Sequence, residues 1–119
     1  MKVYLSGGMR SGWQDIFKAV ARNQGITCFD PRDHGLVDAG AYVKKDLEWV
    51  KESDLVMAYL ESSNDSGVGL SVELGYAKAL GKEIWLVCEK FDKKWDFIRA
   101  LADAEFKTVE IMLGEFQCR

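Results

Sequence analysis

The sequence predicts an α/β domain: five strands alternating with four helices, folded as a doubly wound, mostly parallel sheet covered on both faces. Three observations lead there. Short apolar runs recur along the chain, and they are near-continuous, as strands buried on both faces require. Between them, apolar residues fall at helical spacing. Gly, Asp and Ser clusters mark the changes of period.

Val3-Tyr4-Leu5 is the first strand, ended by Ser6-Gly7-Gly8. Trp13, Phe17, Val20 and Ala21 share one face of a helix over residues 13–24, and Gly25 stops it. Residues 26–29 form the second strand, and Asp30-Pro31-Arg32-Asp33-His34-Gly35 is a loop by its turn chemistry. A second helix over 39–53 has Val43, Leu47 and Val50 as its inner stripe. The third strand covers 55–60. A polar loop, 61–65, then runs through Gly67-Val68-Gly69 into a third helix over 70–80, capped by Gly81. Residues 84–88 are the fourth strand, 95–103 the fourth helix, and 106–112 the fifth strand. Strand order is not written in this pattern. A Rossmann-like or flavodoxin-like arrangement is expected, with ligands beyond the carboxyl ends of the strands at the switch point.

Composition narrows the function. A chain of 119 residues, 48% hydrophobic and 29% charged, suits one soluble domain over residues 1–119 with a single core. The net charge of −3 argues against a nucleic-acid polymer as partner and leaves a small phosphate-bearing ligand open. No apolar run approaches the ~20 residues of a membrane span, and the first is too short for a signal peptide. Cys28 and Cys88 lie in strand-like runs as small hydrophobes, so reduced thiols in the cytoplasm are expected. With His34 the single histidine and no paired cysteines, no metal site is expected.

Four places carry candidate chemistry. Ser6-Gly7-Gly8-Met9-Arg10-Ser11-Gly12 joins strand to helix. Its glycines admit a ligand close to the backbone, the helix start offers amide donors, and Arg10 and Ser11 add two more groups. It is either a ribose or phosphate cradle or a tight turn with a solvated arginine, and it lacks the spacing of a Walker or dinucleotide loop. Gly67, Gly69 and Glu73 lie where a loop enters the third helix. Glu73 falls in its expected first turn, where the dipole favours an ionised carboxylate, the form a nucleophile toward an anomeric carbon needs. Acidic residues also occupy first turns for the dipole alone. Asp46 borders the inner stripe of the second helix and is either an ion-paired rim residue or a cleft carboxylate. Asp30, ending the second strand, is either a turn former or a ribose ligand. Of the aromatics, Tyr4 and Trp13 are the ones placed to reach a ligand.

Tyr4-Leu5-Ser6-Gly7-Gly8-Met9, Asp46-Leu47-Glu48-Trp49 with Ser53-Asp54-Leu55-Val56, and Gly67-Val68-Gly69 through Glu73-Leu74-Gly75-Tyr76-Ala77 to Gly81-Lys82 together resemble the nucleoside 2-deoxyribosyltransferase family, over residues 2–88. The resemblance implies a flavodoxin-like five-stranded sheet, no metal or organic cofactor, and a homodimer or larger assembly. It implies that Glu73 attacks C1′ of the sugar and displaces the base, and that Asp46 helps bind the nucleoside and handles protons. Two branches follow: base exchange between 2′-deoxynucleosides, or hydrolysis of nucleoside 5′-monophosphates, whose first loop Gly8-Met9-Arg10-Ser11-Gly12 resembles, and there these residues would hold the phosphate. Transferases of the family carry an aspartate six residues before the nucleophile; here that position is Gly67, preceded by Asp65 and Ser66. Beside the enzyme reading stand a non-catalytic nucleotide-binding module, which would release no free base, and cleavage of NAD at its nicotinamide bond.

Overall fold

A computed structural model describes residues 1–118. Five strands, β1 (Lys2–Gly7), β2 (Thr27–Phe29), β3 (Leu55–Leu60), β4 (Glu83–Cys88) and β5 (Ala104–Phe106), form one sheet in the order β2-β1-β3-β4-β5. Every neighbouring pair is parallel. The helices are α1 (Trp13–Asn23), α2 (Ala39–Glu52), α3 (Val68–Ala79), α4 (Asp96–Leu101) and α5 (Val109–Gln117), with 3-10 turns at Pro31–Asp33 and Lys93–Trp95. This strand order is the flavodoxin-like one of the two arrangements expected. No helix among the described residues is long and apolar enough to cross a membrane.

Strand alternation makes two cores, one on each face. Val3, Leu5, Leu55, Met57, Trp85 and Val87 point to the face covered by Trp13, Phe17 and Ala21 of α1 and by Met112, Leu113 and Phe116 of α5. Tyr4, Val56, Ala58, Leu60, Ile84 and Leu86 point to the other face, under Val50 of α2, Leu70, Leu74 and Ala77 of α3, and Ile98 of α4. The helix after β1 therefore covers one face and the helix after β3 the other. The loops leaving these two adjacent strands diverge, and a crevice opens between them at the carboxyl edge.

The expected fifth strand over 106–112 is mostly helix instead. β5 ends at Phe106, and the Thr108 hydroxyl accepts a hydrogen bond from the Ile111 amide at 3.1 Å, capping α5. Val109, Met112, Leu113 and Phe116 then recur at helical spacing, all of them buried. The expected fourth helix is shorter: Trp95 closes the 3-10 turn and Ala102 is already extended. In α2 only Val50 is fully buried, whereas Val43 of the expected inner stripe is 45% exposed. The early turns of α2 face α3 across a cavity lined by Tyr42, Val43, Asp46 and Glu73.

Candidate active site

The β1–α1 loop is rigid because its backbone is held from below. Gly7 and Gly8 have φ of 74° and 61°, and a Cβ on Gly7 would lie 2.5 Å from the Tyr59 carbonyl oxygen, while one on Gly8 would collide with the Trp13 indole nitrogen. Trp13 Nε1 donates to the Gly7 carbonyl at 3.2 Å, and Gln14 Nε2 donates to Gly7 and Gly8 at 3.0 and 3.2 Å. Ser11 Oγ donates to the Gly8 carbonyl at 3.2 Å. Trp13 is thus a buried support of the loop and does not reach the cleft.

The β3–α3 loop is shaped by Asn64, whose Oδ1 accepts from the amides of Ser66 and Gly67 at 3.0 and 3.1 Å. Ser66 Oγ accepts from the Val68 amide at 3.1 Å. Gly67 is the N-cap of α3 with φ 77°, and a Cβ there would lie 2.8 Å from the Trp95 ring. An aspartate has no room at this position on this backbone.

Glu73 is the centre of the site. Tyr4 Oη donates to its Oε2 and Ser6 Oγ to its Oε1, both at 2.7 Å. Tyr4 and Ser6 are two apart on β1, so they share one face of the sheet and meet the carboxylate together. α3 begins two residues earlier than expected, at Val68, which puts Glu73 in its second turn with no acidic residue in the first. The helix dipole therefore acts on it weakly, and burial dominates instead. Burial pushes the Glu73 carboxyl up to about 7, against the two hydroxyl hydrogen bonds, and the nearby Asp46 charge pushes the same way. Burial and the Glu73 charge hold the Tyr4 hydroxyl far above its ordinary value, so it remains a donor.

Asp46, on α2, is half-buried. Its Oδ1 lies 2.8 Å from His34 Nε2, and no hydrogen bond from a described residue engages its Oδ2. Burial raises its carboxyl, and the His34 hydrogen bond works against that rise.

One cleft of about 250 Å³ gathers Gly7, Met9, Asp46, Gly67, Gly69 and Glu73, which the sequence had singled out, with Asn64 and Ser66, which it had not. Tyr4, fully buried, and Gly8, also buried, do not line it. Arg10 and Ser11 are exposed and lie outside the lining, the Arg10 amide donating to Glu61 at 3.4 Å. Asp65 does not line the cleft either. Asp30 is fully buried and pairs with Lys18 at 2.8 Å and Arg32 at 2.7 Å. Burial alone would raise its carboxyl, but hydrogen bonds from Arg32 and Lys18 outweigh it and hold it below the ordinary value. It is a structural anchor of the β2 end. His34 had no local signal, standing twelve residues from Asp46 in a loop. Ser6 was legible in principle, since a polar residue two beyond Tyr4 shares its face of the strand.

A cleft at the switch point of a doubly wound sheet, holding two half-buried carboxyls with one set by two hydroxyls, defines a small-molecule enzyme of carboxylate chemistry. The chain belongs to the nucleoside 2-deoxyribosyltransferase family, whose model matches residues 3–112. Among solved structures it is similar to a 2-deoxyribosyltransferase from Bacillus psychrosaccharolyticus, with TM-score 0.74 and 24% identity over 95% of this chain and 90% of that one. It is also similar to the CMP N-glycosidase BcmB of Clostridium botulinum, with TM-score 0.70 and 17% identity over 100% of both chains. A 2-deoxyribosyltransferase from Leishmania mexicana aligns with TM-score 0.65 and 20% identity, over 81% of this chain and 69% of that one. No curated protein sequence matches the chain.

Proposed function

We propose that the protein cleaves the N-glycosidic bond of 2′-deoxynucleosides and transfers the sugar, with Glu73 as the nucleophile. The observation that carries this reading is the Glu73 carboxyl in the cleft, aimed by Tyr4 and Ser6 and near neutrality in its ionisation. A Glu73 oxygen attacks C1′ of the sugar, forming a glycosyl ester as the C1′–N bond breaks. The electron pair of that bond leaves with the base, whose nitrogen takes a proton from the carboxylic acid form of Asp46. In the second half, an acceptor base gives its proton to the Asp46 carboxylate and attacks C1′, and Glu73 leaves as carboxylate. Two carboxyls in one cleft divide the work: one must be ionised and the other protonated. Tyr4 and Ser6 hold the attacking group from behind, while Gly7, Gly67 and Gly69 line the cleft and leave room for the nucleoside along the backbone.

A second reading, hydrolysis of a nucleoside 5′-monophosphate, is favoured by Arg10. Its exposed side chain directly follows Met9, a lining residue, so that it and Ser11 would be the groups to meet a phosphate. Assembly into a homodimer or larger is supported by exposed apolar residues beside the cleft, Val68 at 67% and Val72 at 54%. Three free cysteines suit a cytoplasmic setting and base exchange suits nucleotide salvage.

Free-base release, followed by chromatography for each deoxynucleoside and each 5′-monophosphate, tests the proposal. New nucleoside formed only with an added acceptor base is the expected result. Release from monophosphates without acceptor selects the second reading. No release from any of them leaves a non-catalytic binding module.

A further inference from the structure

The Asp46 carboxyl is not free to turn. Its Oδ1 meets His34 Nε2 at 2.8 Å, and the other ring nitrogen, Nδ1, accepts from the Leu36 amide at 3.0 Å. A backbone N–H can only donate, so Nδ1 carries the lone pair and Nε2 carries the proton. The imidazole is thereby fixed as a donor to Asp46. Its ring lies 5.5 Å from the Trp49 ring, which in turn stacks on Phe29 at 5.4 Å, and the His34 and Asp46 side chains are largely shielded, at 10% and 14% exposure. Amide, indole and carboxyl hold the histidine on three sides. The arrangement spans a loop and a helix, and its Trp49 and Phe29 pack against the core under α2 and α3.

We propose that His34 is a positioning residue for Asp46: its Nε2–H holds Oδ1, leaving Oδ2 as the oxygen that exchanges a proton with the nucleobase. This rests on the N-glycosyl-transfer reading. Two effects follow from the same bond. The carboxyl keeps one rotamer at the cleft, and the ionised form of Asp46 is favoured, which opposes the effect of burial and eases departure of its proton. The titratable groups that share this environment are Glu73 on α3 and Tyr4 on β1, whose ionisation the Asp46 charge disfavours.

Three variants test the role in the full chain, with free-base release as the assay. His34→Phe keeps a ring against Trp49 and removes the donor. His34→Gln keeps a donor at the reach of Nε2. Asp46→Asn removes the carboxyl that His34 serves. His34→Phe is expected to lower kcat by about 10–100-fold, the worth of one hydrogen bond to a charged group, with KM changed little. Asp46 should then hold its proton to higher pH and the pH profile should move accordingly, because Asp46 loses a partner that favours its charged form. His34→Gln should recover most of the rate and return the profile. In the Asp46→Asn background, His34→Phe should add no further loss. A wild-type kcat and pH profile in His34→Phe, or an equal loss on top of Asp46→Asn, would overturn the role while the glycosyl-transfer reading stands. Wild-type protein that releases no base from any nucleoside or monophosphate overturns the reading and this role together.

Discussion

At Glu73 burial and hydrogen bonding oppose each other, and burial wins, leaving the carboxyl at about 7. A nucleophile must be ionised, so kcat/KM on deoxynucleosides is expected to rise through about pH 7 on its acid limb. Tyr4→Phe keeps the buried ring and removes one donor to the carboxylate. The acid limb should then shift to higher pH, since the lost bond favoured the charged form; an unmoved limb would mean that Tyr4 does not set this ionisation. Asp46→Asn should lower kcat by about 10²–10⁴-fold, the usual worth of a positioned proton donor. The sequence singled out both carboxylates, which the structure brings into one cleft, but it gave Glu73 the wrong environment. A first-turn position would have made the dipole the main influence; two extra residues at the start of α3 remove it from that turn. His34 was invisible for a different reason, because a contact between a loop residue and a helix twelve positions later leaves no periodic trace.

At the scale of elements, the glycines and the caps set the site. Gly67 starts α3 in a left-handed conformation against the Trp95 ring. Gly67→Ala is expected to cost on the order of 1–2 kcal/mol for the backbone alone, with more from the ring contact, read as a lowered denaturant midpoint. Alternating strands and amphipathic helices were legible up to β4, where period and turn residues agree. The last stretch was not, because 106–112 is short and mixes Phe106, Val109, Ile111 and Met112 with Lys107, Thr108 and Glu110, a pattern that fits a strand as well as a helix. What decided it was the Thr108 cap and Phe116, which lies beyond the expected strand and completes the helical stripe. Phe116 is buried at 2% exposure and packs edge-on to Phe17 at 5.0 Å. Phe116→Ala is expected to destabilise the fold by about 3–5 kcal/mol, measured by urea unfolding, whereas a frayed terminus would lose almost nothing.

At the scale of the whole molecule, the crevice exists because the strands are laid down outward in opposite directions on either side of β1 and β3, and the strand order that creates it was the one topological feature the sequence left open. Holding a carboxyl there has a cost that the fold as a whole bears. The Glu73 carboxyl is raised in the folded chain from 4.5 to about 7, so between those values the folded protein keeps a proton that the unfolded chain has released. Its contribution to stability is full below the lower value and is lost as pH rises through the upper one. Glu73→Gln should therefore be more stable than wild type at pH 8, by up to about 3 kcal/mol, with the gap closing toward pH 4.5; equal melting temperatures at both pH values would mean that Glu73 is not buried at this cost. The same variant should lose at least ~10³-fold in free-base release, which separates its stability from its chemistry. The most direct test is the intact mass of the protein quenched in acid during turnover of a deoxynucleoside without acceptor, followed by peptide mapping. The account predicts a deoxyribosyl adduct on the peptide that carries Glu73, absent from Glu73→Gln. Free base released with no adduct, or an adduct on another residue, would contradict it.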